Sequence, residues 1–252
     1  MKKRETSACG GTEDDRAVAE LLGLRLVLYS LGARLFAAEP DEEMLFWCCR
    51  SEVPEALALL EAVTGEDAGR GQSDSGMSQR WIRVCGEKAI VSVEEAKTAY
   101  TKLFVGPHRP PAAPWESVHL SADGLLFQES TLRVRQAYRA AGFKAAGYPH
   151  EPDDHLGTEL SFMAALAASS MEKWRSGDGL GARADLMSQQ RFLDDHLCRW
   201  VPLFCSAVAA APDKLRVNEF YVVAAEMVSL LVKADRALLN ELLRSLWSTE
   251  AD

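Results

Sequence analysis

The sequence contains no long uninterrupted apolar run. Its basic start, Met1 to Arg4, is followed by the polar stretch Glu5 to Arg16, and charged residues interrupt the first apolar stretch, Ala17 to Ala38. A cleavable signal or a membrane span needs an unbroken apolar segment. We therefore expect a cytoplasmic protein that has no stable association with a membrane.

An excess of basic residues is also missing. The 252 residues carry 28 Lys+Arg against 37 Asp+Glu, which gives a formal net charge of −9. This balance argues against binding to nucleic acid or to anionic membranes, and it favours a cationic partner. The hydrophobic content of 48% and the charged content of 26% are typical of a globular protein, so intrinsic disorder is not expected.

The sequence signatures of several common enzyme classes are absent. There is no Walker loop, no G-x-G-x-x-G and no G-x-S-x-G, and the six cysteines form no C-x-x-C pair. P-loop, dinucleotide-binding and α/β-hydrolase chemistry are therefore not indicated. We expect reduced thiols, and we predict no catalytic residues, no resident metal and no cofactor.

What the sequence does contain is helical periodicity. Apolar residues step by three and four from Ala17 to Leu35, and similar stripes recur along the chain. Asp41 is placed to cap a short helix, and Ser92 and Glu95 form an S-x-x-E capping box at the start of another. Alternating strand patterns are nearly absent. The pattern predicts an all-α fold built as a multi-helix bundle.

Composition divides the expected single domain, residues 1–252, into five parts. They are a flexible tail (1–16), an N-terminal helical half (17–105) containing a mobile loop (65–80), a proline-rich loop (106–123) and a C-terminal helical half (124–252). The 65–80 loop holds four glycines and three serines. Residues 81–91 are ambiguous, and an extended segment is one interpretation of them.

The densest polar cluster of the sequence runs from His150 to His155, with Glu159 one helical turn beyond. Three interpretations stay open: a helix N-terminus capped by Asp153 or Asp154, a metal site, and a recognition site for a cationic group. A di-metal helical bundle needs two E-x-x-H motifs, and this chain has one, Glu116 to His119.

A second candidate segment joins aromatic residues to a stiff backbone. The helix that contains Tyr100 to Phe104 is followed by four prolines, and then by the stretch Trp115 to His119. One interpretation is a helix end followed by a packed loop. The other is a surface that presents apolar area to a peptide at low entropic cost.

Together the two segments resemble the TorD/DmsD family of redox-enzyme maturation chaperones. The family pattern is Y-x-x-L-F, a proline-rich loop, P-W-x-S-V-Y/H and then E-P-x-D-H. This chain matches it at Tyr100 to Phe104, at Pro114 to His119 and at Glu151 to His155, in the same order. A histidine, His119, stands where tyrosine is common in the family. The later stretch His196 to Phe204 also resembles the family's C-terminal region.

The resemblance implies a cytoplasmic chaperone with two helical halves joined by a proline-rich hinge. It would bind the twin-arginine signal peptide and the catalytic subunit of a molybdopterin-containing oxidoreductase, assist cofactor insertion and proofread the client before export. The resemblance carries the family's ligand-contacting positions onto Leu103, Phe104, Pro114, Trp115, Ser117, Glu151, Pro152, Asp154 and His155. It alone implies weak GTP binding, and it allows a monomer or a domain-swapped dimer.

The residues suggest a mechanism that agrees with this resemblance. Guanidinium groups bind best to carboxylates, which Glu151 and Asp154 would supply with help from Glu116. Leu103, Phe104 and Trp115 would line a groove for the apolar stretch of the peptide, and His155 would orient a carboxylate or donate to a peptide carbonyl. The rival expectations are a metal-dependent enzyme in a helical bundle and a generic helical adaptor or subunit.

Overall fold

The computed structural model describes residues 13–65, 76–86, 91–106, 109–148, 151–211 and 215–247. Within these ranges the regular structure is helical, and extended pairing is limited to one isolated bridge. The predicted all-α fold is confirmed. In the described residues, no helix is long and apolar enough to cross a membrane.

Thirteen helical elements are described, eleven α-helices and two π-helical segments. In the N-terminal part they are α1 (Glu13–Ala37), α2 (Glu42–Cys48), α3 (Glu52–Thr64), α4 (Met77–Cys85), α5 (Val93–Tyr100) and a first π segment (Thr101–Val105). The C-terminal part contains α6 (Glu116–Leu120), α7 (Glu129–Ala140), α8 (Leu156–Arg175), α9 (Gly179–Phe192), a second π segment (Leu193–Leu197), α10 (Cys198–Ala209) and α11 (Phe220–Trp247).

Helix starts that are encoded by neighbouring residues form as predicted. The Ser92 hydroxyl accepts from the backbone N–H of Glu95 at 3.2 Å, and the Glu95 carboxylate accepts from the N–H of Ser92 at 3.0 Å. The Asp41 carboxylate accepts from the N–H of Met44 at 2.8 Å and caps α2. Both caps satisfy amides that a first helical turn leaves without partners.

The structure differs from the expectation at residues 65–91. Helix α4 begins inside the predicted loop and continues to Cys85, within the stretch interpreted as extended. Its first-turn amides, on Met77 and Ser78, donate to the carboxylate of Glu61, which belongs to α3. Trp81 is buried and donates to the carbonyl of Cys48 at 2.9 Å. The cap and the anchor of α4 are both distant in sequence. Residues 66–75 of the predicted loop lie outside the described residues.

One hydrophobic core runs through both predicted halves. The most extensive helix pair is α1 with α8, and α11 packs on α3, α4, α9 and α10. Gly157 permits the close approach of α8 to α1, because a Cβ there would lie 2.7 Å from the backbone of Ala37. The division into two halves stays a prediction.

Two further boundaries of the sequence-based division differ. The predicted loop 106–123 contains helix α6, and α1 begins at Glu13, inside the predicted 1–16 tail. Residues 1–12 and 107–108 lie outside the described residues. The structure records no disulfide among Cys48, Cys49, Cys85, Cys198 and Cys205, and Cys9 lies outside the described residues.

Candidate functional site

The two segments singled out in the sequence lie side by side. Trp115 and His155 form an antiparallel bridge. The Pro114 carbonyl accepts from the N–H of Leu156 at 2.8 Å, and the Asp154 carbonyl accepts from the N–H of Glu116 at 3.0 Å. The pairing brings together residues 114–117 and 151–155, and we call them the leader site after the expectation from the family resemblance that they bind a signal-peptide leader.

Asp154 fastens this pairing from inside the protein. Its side chain is fully buried, and its Oδ2 accepts from the N–H of Ser117 at 2.7 Å. It therefore caps α6 and not α8, the helix that follows it in sequence. The cap of α8 is His155, whose Nδ1 accepts from the N–H of Gly157 at 3.1 Å. Asp153, the other predicted cap, pairs with Arg135 at 2.6 Å.

Beneath the leader site lie three fully buried acidic side chains, Glu116, Asp154 and Glu159, which we call the carboxylate cluster. His196 of the second π segment and Glu116 are joined by a hydrogen bond of 2.8 Å between Nδ1 and Oε2. Trp200 of α10 donates to Glu159 at 3.0 Å. Among the described residues, one oxygen of each carboxylate has no N–H or hydroxyl donor. A proton on Glu159 provides a hydrogen bond between Glu159 and Glu116.

The surroundings of the carboxylate cluster favour the protonated form of Glu159. Burial, and after it the negative charge of Glu116, raises the pKa of the Glu159 carboxyl well above its ordinary value. In the protonated form Glu159 is a hydrogen-bond donor to Glu116. Two ionised carboxylates in a shared buried space repel each other, and a proton on Glu159 relieves that repulsion.

His155 is neutral at physiological pH because its partial burial lowers its pKa to about 4. Its Nδ1 accepts from Gly157, which requires that the proton sits on Nε2. The ring packs edge-on against Trp115, with centroids 5.3 Å apart. Trp115 is half-buried, and its indole N–H has no partner in the described part of the chain. Two ring N–H donors therefore lie at the paired segments.

The other predicted site residues differ in their exposure. Glu151 is exposed, whereas Pro114, Ser117 and Pro152 are buried. Glu116 and Asp154, expected to meet guanidinium groups at the surface, are buried as well. In this conformation Glu151 is the carboxylate of the leader site that solvent reaches.

Leu103 and Phe104 lie in the core instead of lining a surface groove. Phe104 packs against Phe36, Phe204 and Tyr221, with ring centroids 5.6, 5.9 and 5.0 Å away. The carbonyl of Leu103 accepts from the N–H of Ala112 at 3.1 Å, two residues before Pro114. The π segment that carries both residues thus holds the loop leading into the leader site.

The two ends of the single E-x-x-H motif have different partners. Glu116 bonds to His196, whereas His119 stacks on Trp200 and bonds through Nε2 to the carbonyl of Ala113 at 2.7 Å. The described residues include no group of three or more side chains placed to hold a metal ion.

The sequence motifs do not indicate that His196, Glu159 and Trp200 belong to this site. His196 and Trp200 lie in the stretch that resembles the family's C-terminal region, and Glu159 lies one turn after His155. They reach the cluster because α8 and the run from α9 to α10 pack behind the paired segments. No local sequence pattern predicts that packing.

Comparisons with known proteins agree with the motifs. Residues 72–206, more than half of the chain, match the family model described as "Nitrate reductase delta subunit". The Tat proofreading chaperone DmsD of Salmonella typhimurium is 41% identical over 76 residues, which cover 30% of this chain and 37% of that protein. The chaperone protein TorD of Vibrio cholerae is 28% identical over 150 residues, which cover 60% of this chain and 64% of that protein.

In both comparisons the match spans less than two thirds of the relative's length. A crystal structure from Archaeoglobus fulgidus, named for redox enzyme maturation, covers 94% of this chain and 99% of its own at 21% identity, with a TM-score of 0.40, a likeness too low to carry an argument. The family match covers both motif segments, the chain between them, and helices α8 and α9. The chain belongs to the nitrate reductase delta subunit family, as a member of its TorD/DmsD group.

Proposed function

We propose that this protein is a cytoplasmic chaperone for a molybdopterin-containing oxidoreductase. It binds the twin-arginine signal peptide and the apoprotein of that client, assists cofactor insertion and proofreads the client before export. The observation that carries the proposal is the pairing of residues 114–117 with 151–155 above three buried carboxylates. The names of the relatives, a Tat proofreading chaperone and a chaperone protein, support it.

The leader site offers three kinds of contact to such a peptide. Glu151 is the exposed carboxylate that meets a guanidinium group first. The half-buried face of Trp115 covers apolar side chains of the peptide, and the Nε2–H of His155 donates to one of its carbonyls. A neutral His155 adds no positive charge that would repel arginine.

The buried carboxylates act at longer range in this proposal. Glu116 is bonded to His196 and accepts from protonated Glu159, whereas Asp154 keeps one oxygen without a partner among the described residues and is held by one bond to the α6 amide of Ser117. A guanidinium group that Glu151 binds is also attracted by the negative charge of the buried carboxylates. Separation of the paired segments would expose both carboxylates to bidentate contact.

Two alternatives make different predictions. A metal-dependent enzyme would hold stoichiometric iron, manganese or zinc, which metal analysis of the purified protein detects. A generic helical adaptor would bind twin-arginine and twin-lysine peptides equally. The proposal includes no resident cofactor, and weak GTP binding and the monomer or domain-swapped dimer stay predictions, which nucleotide titration and light scattering would test.

The direct test is calorimetric titration with a synthetic leader peptide that carries an Arg–Arg pair before an apolar stretch. A twin-lysine peptide should bind more weakly, because Lys lacks the bidentate geometry of Arg. We expect Trp115→Ala to weaken the twin-arginine complex about tenfold, equivalent to ~1.4 kcal/mol. Higher salt should weaken binding as well.

Asp154→Asn and Glu151→Gln separate charge from structure. Asparagine keeps an oxygen that caps Ser117 but removes the negative charge, so lower affinity in a folded Asp154→Asn protein assigns the effect to charge. Glu55→Gln, at an exposed glutamate of α3, is the matched control and should bind like wild type. Equal affinity for both peptides, together with unchanged binding in Trp115→Ala, would overturn the proposal.

A further inference from the structure

A second surface lies behind the leader site, between α7 and the run from α9 to α10. It is a cleft of about 460 Å³ whose rim carries Arg133, Arg191 and Arg199. Phe162, Phe192 and His196 form its inner wall. We call it the arginine cleft, and the proposed leader binding does not use it.

The second π segment builds one side of this cleft. In an α-helix two turns take about seven residues. A π-helical turn is wider by about one residue. Arg191 and Arg199 are eight residues apart and flank the π segment, so the wider turn aligns them on one face with Asp195 between them. Without the π segment, Arg199 would be rotated away from Arg191.

The cleft is cationic in a chain whose net charge is −9. Besides the three arginines, its lining includes one carboxylate, that of Asp195, and the imidazole of His196. Arg133 makes a long ion pair of 3.5 Å with Glu129, and Arg199 donates to the backbone carbonyl of Asp195 at 3.3 Å. Neither contact neutralises a guanidinium group strongly, so the rim favours an anionic ligand.

Exposed apolar side chains flank the arginines on both helices. Leu132 of α7 is 54% exposed and lies one turn before Gln136, which lines the cleft. Met187 of α9 is 48% exposed and lies one turn before Arg191. Because residues four apart share a helical face, the surface combines cationic and apolar positions on each side. A small anion would use the arginines alone, whereas an amphipathic peptide would use both.

We propose that the arginine cleft docks an acidic amphipathic segment of the client apoprotein, separate from its twin-arginine leader. Carboxylates of the segment bind Arg191 and Arg199, and its apolar side chains cover Leu132 and Met187. The inference rests on the proposed function, because the client supplies the segment. The leader site recognises cations and this cleft recognises anions, so one client engages two surfaces of opposite charge.

The test uses the full-length protein and two synthetic helical peptides. One peptide carries leucines and glutamates on adjacent stripes, and its twin has glutamine in place of each glutamate. The variant is Arg191→Glu/Arg199→Glu. The matched control, Arg83→Glu/Arg175→Glu, makes the same charge change at exposed arginines of α4 and α8.

We expect the glutamate peptide to bind wild type and the control variant, and to lose at least about tenfold in affinity to Arg191→Glu/Arg199→Glu. The glutamine twin should bind weakly to all three proteins. Circular dichroism confirms that the variants are folded. The twin-arginine leader peptide should bind the cleft variant like wild type, so a failure of the cleft is distinguishable from a failure of the leader site.

Three outcomes would overturn the inference. The two peptides bind equally, the control variant loses as much affinity as the cleft variant, or pyrophosphate binds in an Arg191- and Arg199-dependent manner while the glutamate peptide does not. The last outcome would assign the cleft to a small anion.

Discussion

Two groups of buried polar side chains show how differently this fold treats charge. One joins Arg25, Tyr29, Gln189 and Asp235 across α1, α9 and α11. The other is the carboxylate cluster with His196 and Trp200. Both are enclosed in the same helical bundle. They differ in charge balance and in where they lie relative to the paired segments.

The Arg25 network is balanced in charge, because one buried cation meets one buried anion. Two guanidinium nitrogens bond to both Asp235 oxygens, Nη2 also donates to Gln189 at 2.5 Å, and the Tyr29 hydroxyl donates to Asp235 at 2.6 Å. Such a pair fixes three helices in register. The carboxylate cluster contains three acids and one histidine. Among the described residues, one oxygen of each acid has no N–H or hydroxyl donor. Imbalance of this kind is typical of a site prepared for a ligand.

The largest predicted effect breaks the balanced network. Arg25→Met leaves Asp235 buried without its cation, which costs about 3–5 kcal/mol in the free energy of unfolding. Arg25→Met/Asp235→Leu removes both charges and should recover most of that loss. Urea denaturation monitored by circular dichroism measures both variants. If the double variant is no more stable than the single one, the loss came from packing and not from charge.

A smaller effect with the opposite sign is expected in the carboxylate cluster. Because the folded protein raises the pKa of Glu159, its contribution to stability is complete below the unfolded pKa and is lost as pH rises toward the folded pKa. Glu159→Gln mimics the protonated form and keeps an acceptor for Trp200. It should stabilise the protein at pH 7.5, because it removes a group whose protonation differs between the folded and the unfolded state.

Denaturation of Glu159→Gln at several pH values between 5 and 8 tests the sign. The gain over wild type should grow as pH rises. Glu94→Gln, at an exposed glutamate of α5, is the control and should show no such trend. A gain in stability that is independent of pH would contradict the raised pKa of Glu159.

The smallest effect on stability is expected for an exposed ion pair at the surface. Arg50 and Glu52 form an ion pair of 2.6 Å in which both side chains are about half exposed. Arg50→Ala should leave the denaturation midpoint unchanged within error, because water screens such pairs and ordering the side chains offsets their attraction. A loss comparable to that of Arg25→Met would mean that burial does not separate the two cases.

The sequence predicted those features that neighbouring residues encode. The Ser92–Glu95 capping box and the Asp41 cap are local, and both formed. Helix α4 was not predicted because its cap, Glu61, and the partner of Trp81 come from other helices. The composition of its surroundings, rich in glycine and serine, indicated a loop instead.

The candidate site shows the same division between local and distant information. Motif order indicated the segments around Trp115 and His155 as a candidate site, and the structure pairs them. Burial could not be predicted from it. Phe104 has the same apolar character whether it lines a groove or fills a core, and packing against Phe36 and Tyr221 decides the outcome.

The bridge between Trp115 and His155 links stability to binding. Its partners are 40 residues apart in sequence, so the leader site does not exist in the unfolded chain. A ligand that binds the folded state alone shifts the folding equilibrium by mass action, by about 2.7 kcal/mol at a free concentration of one hundred times Kd. An engaged chaperone should therefore resist heat and proteases better than an idle one, and its melting temperature reports occupancy.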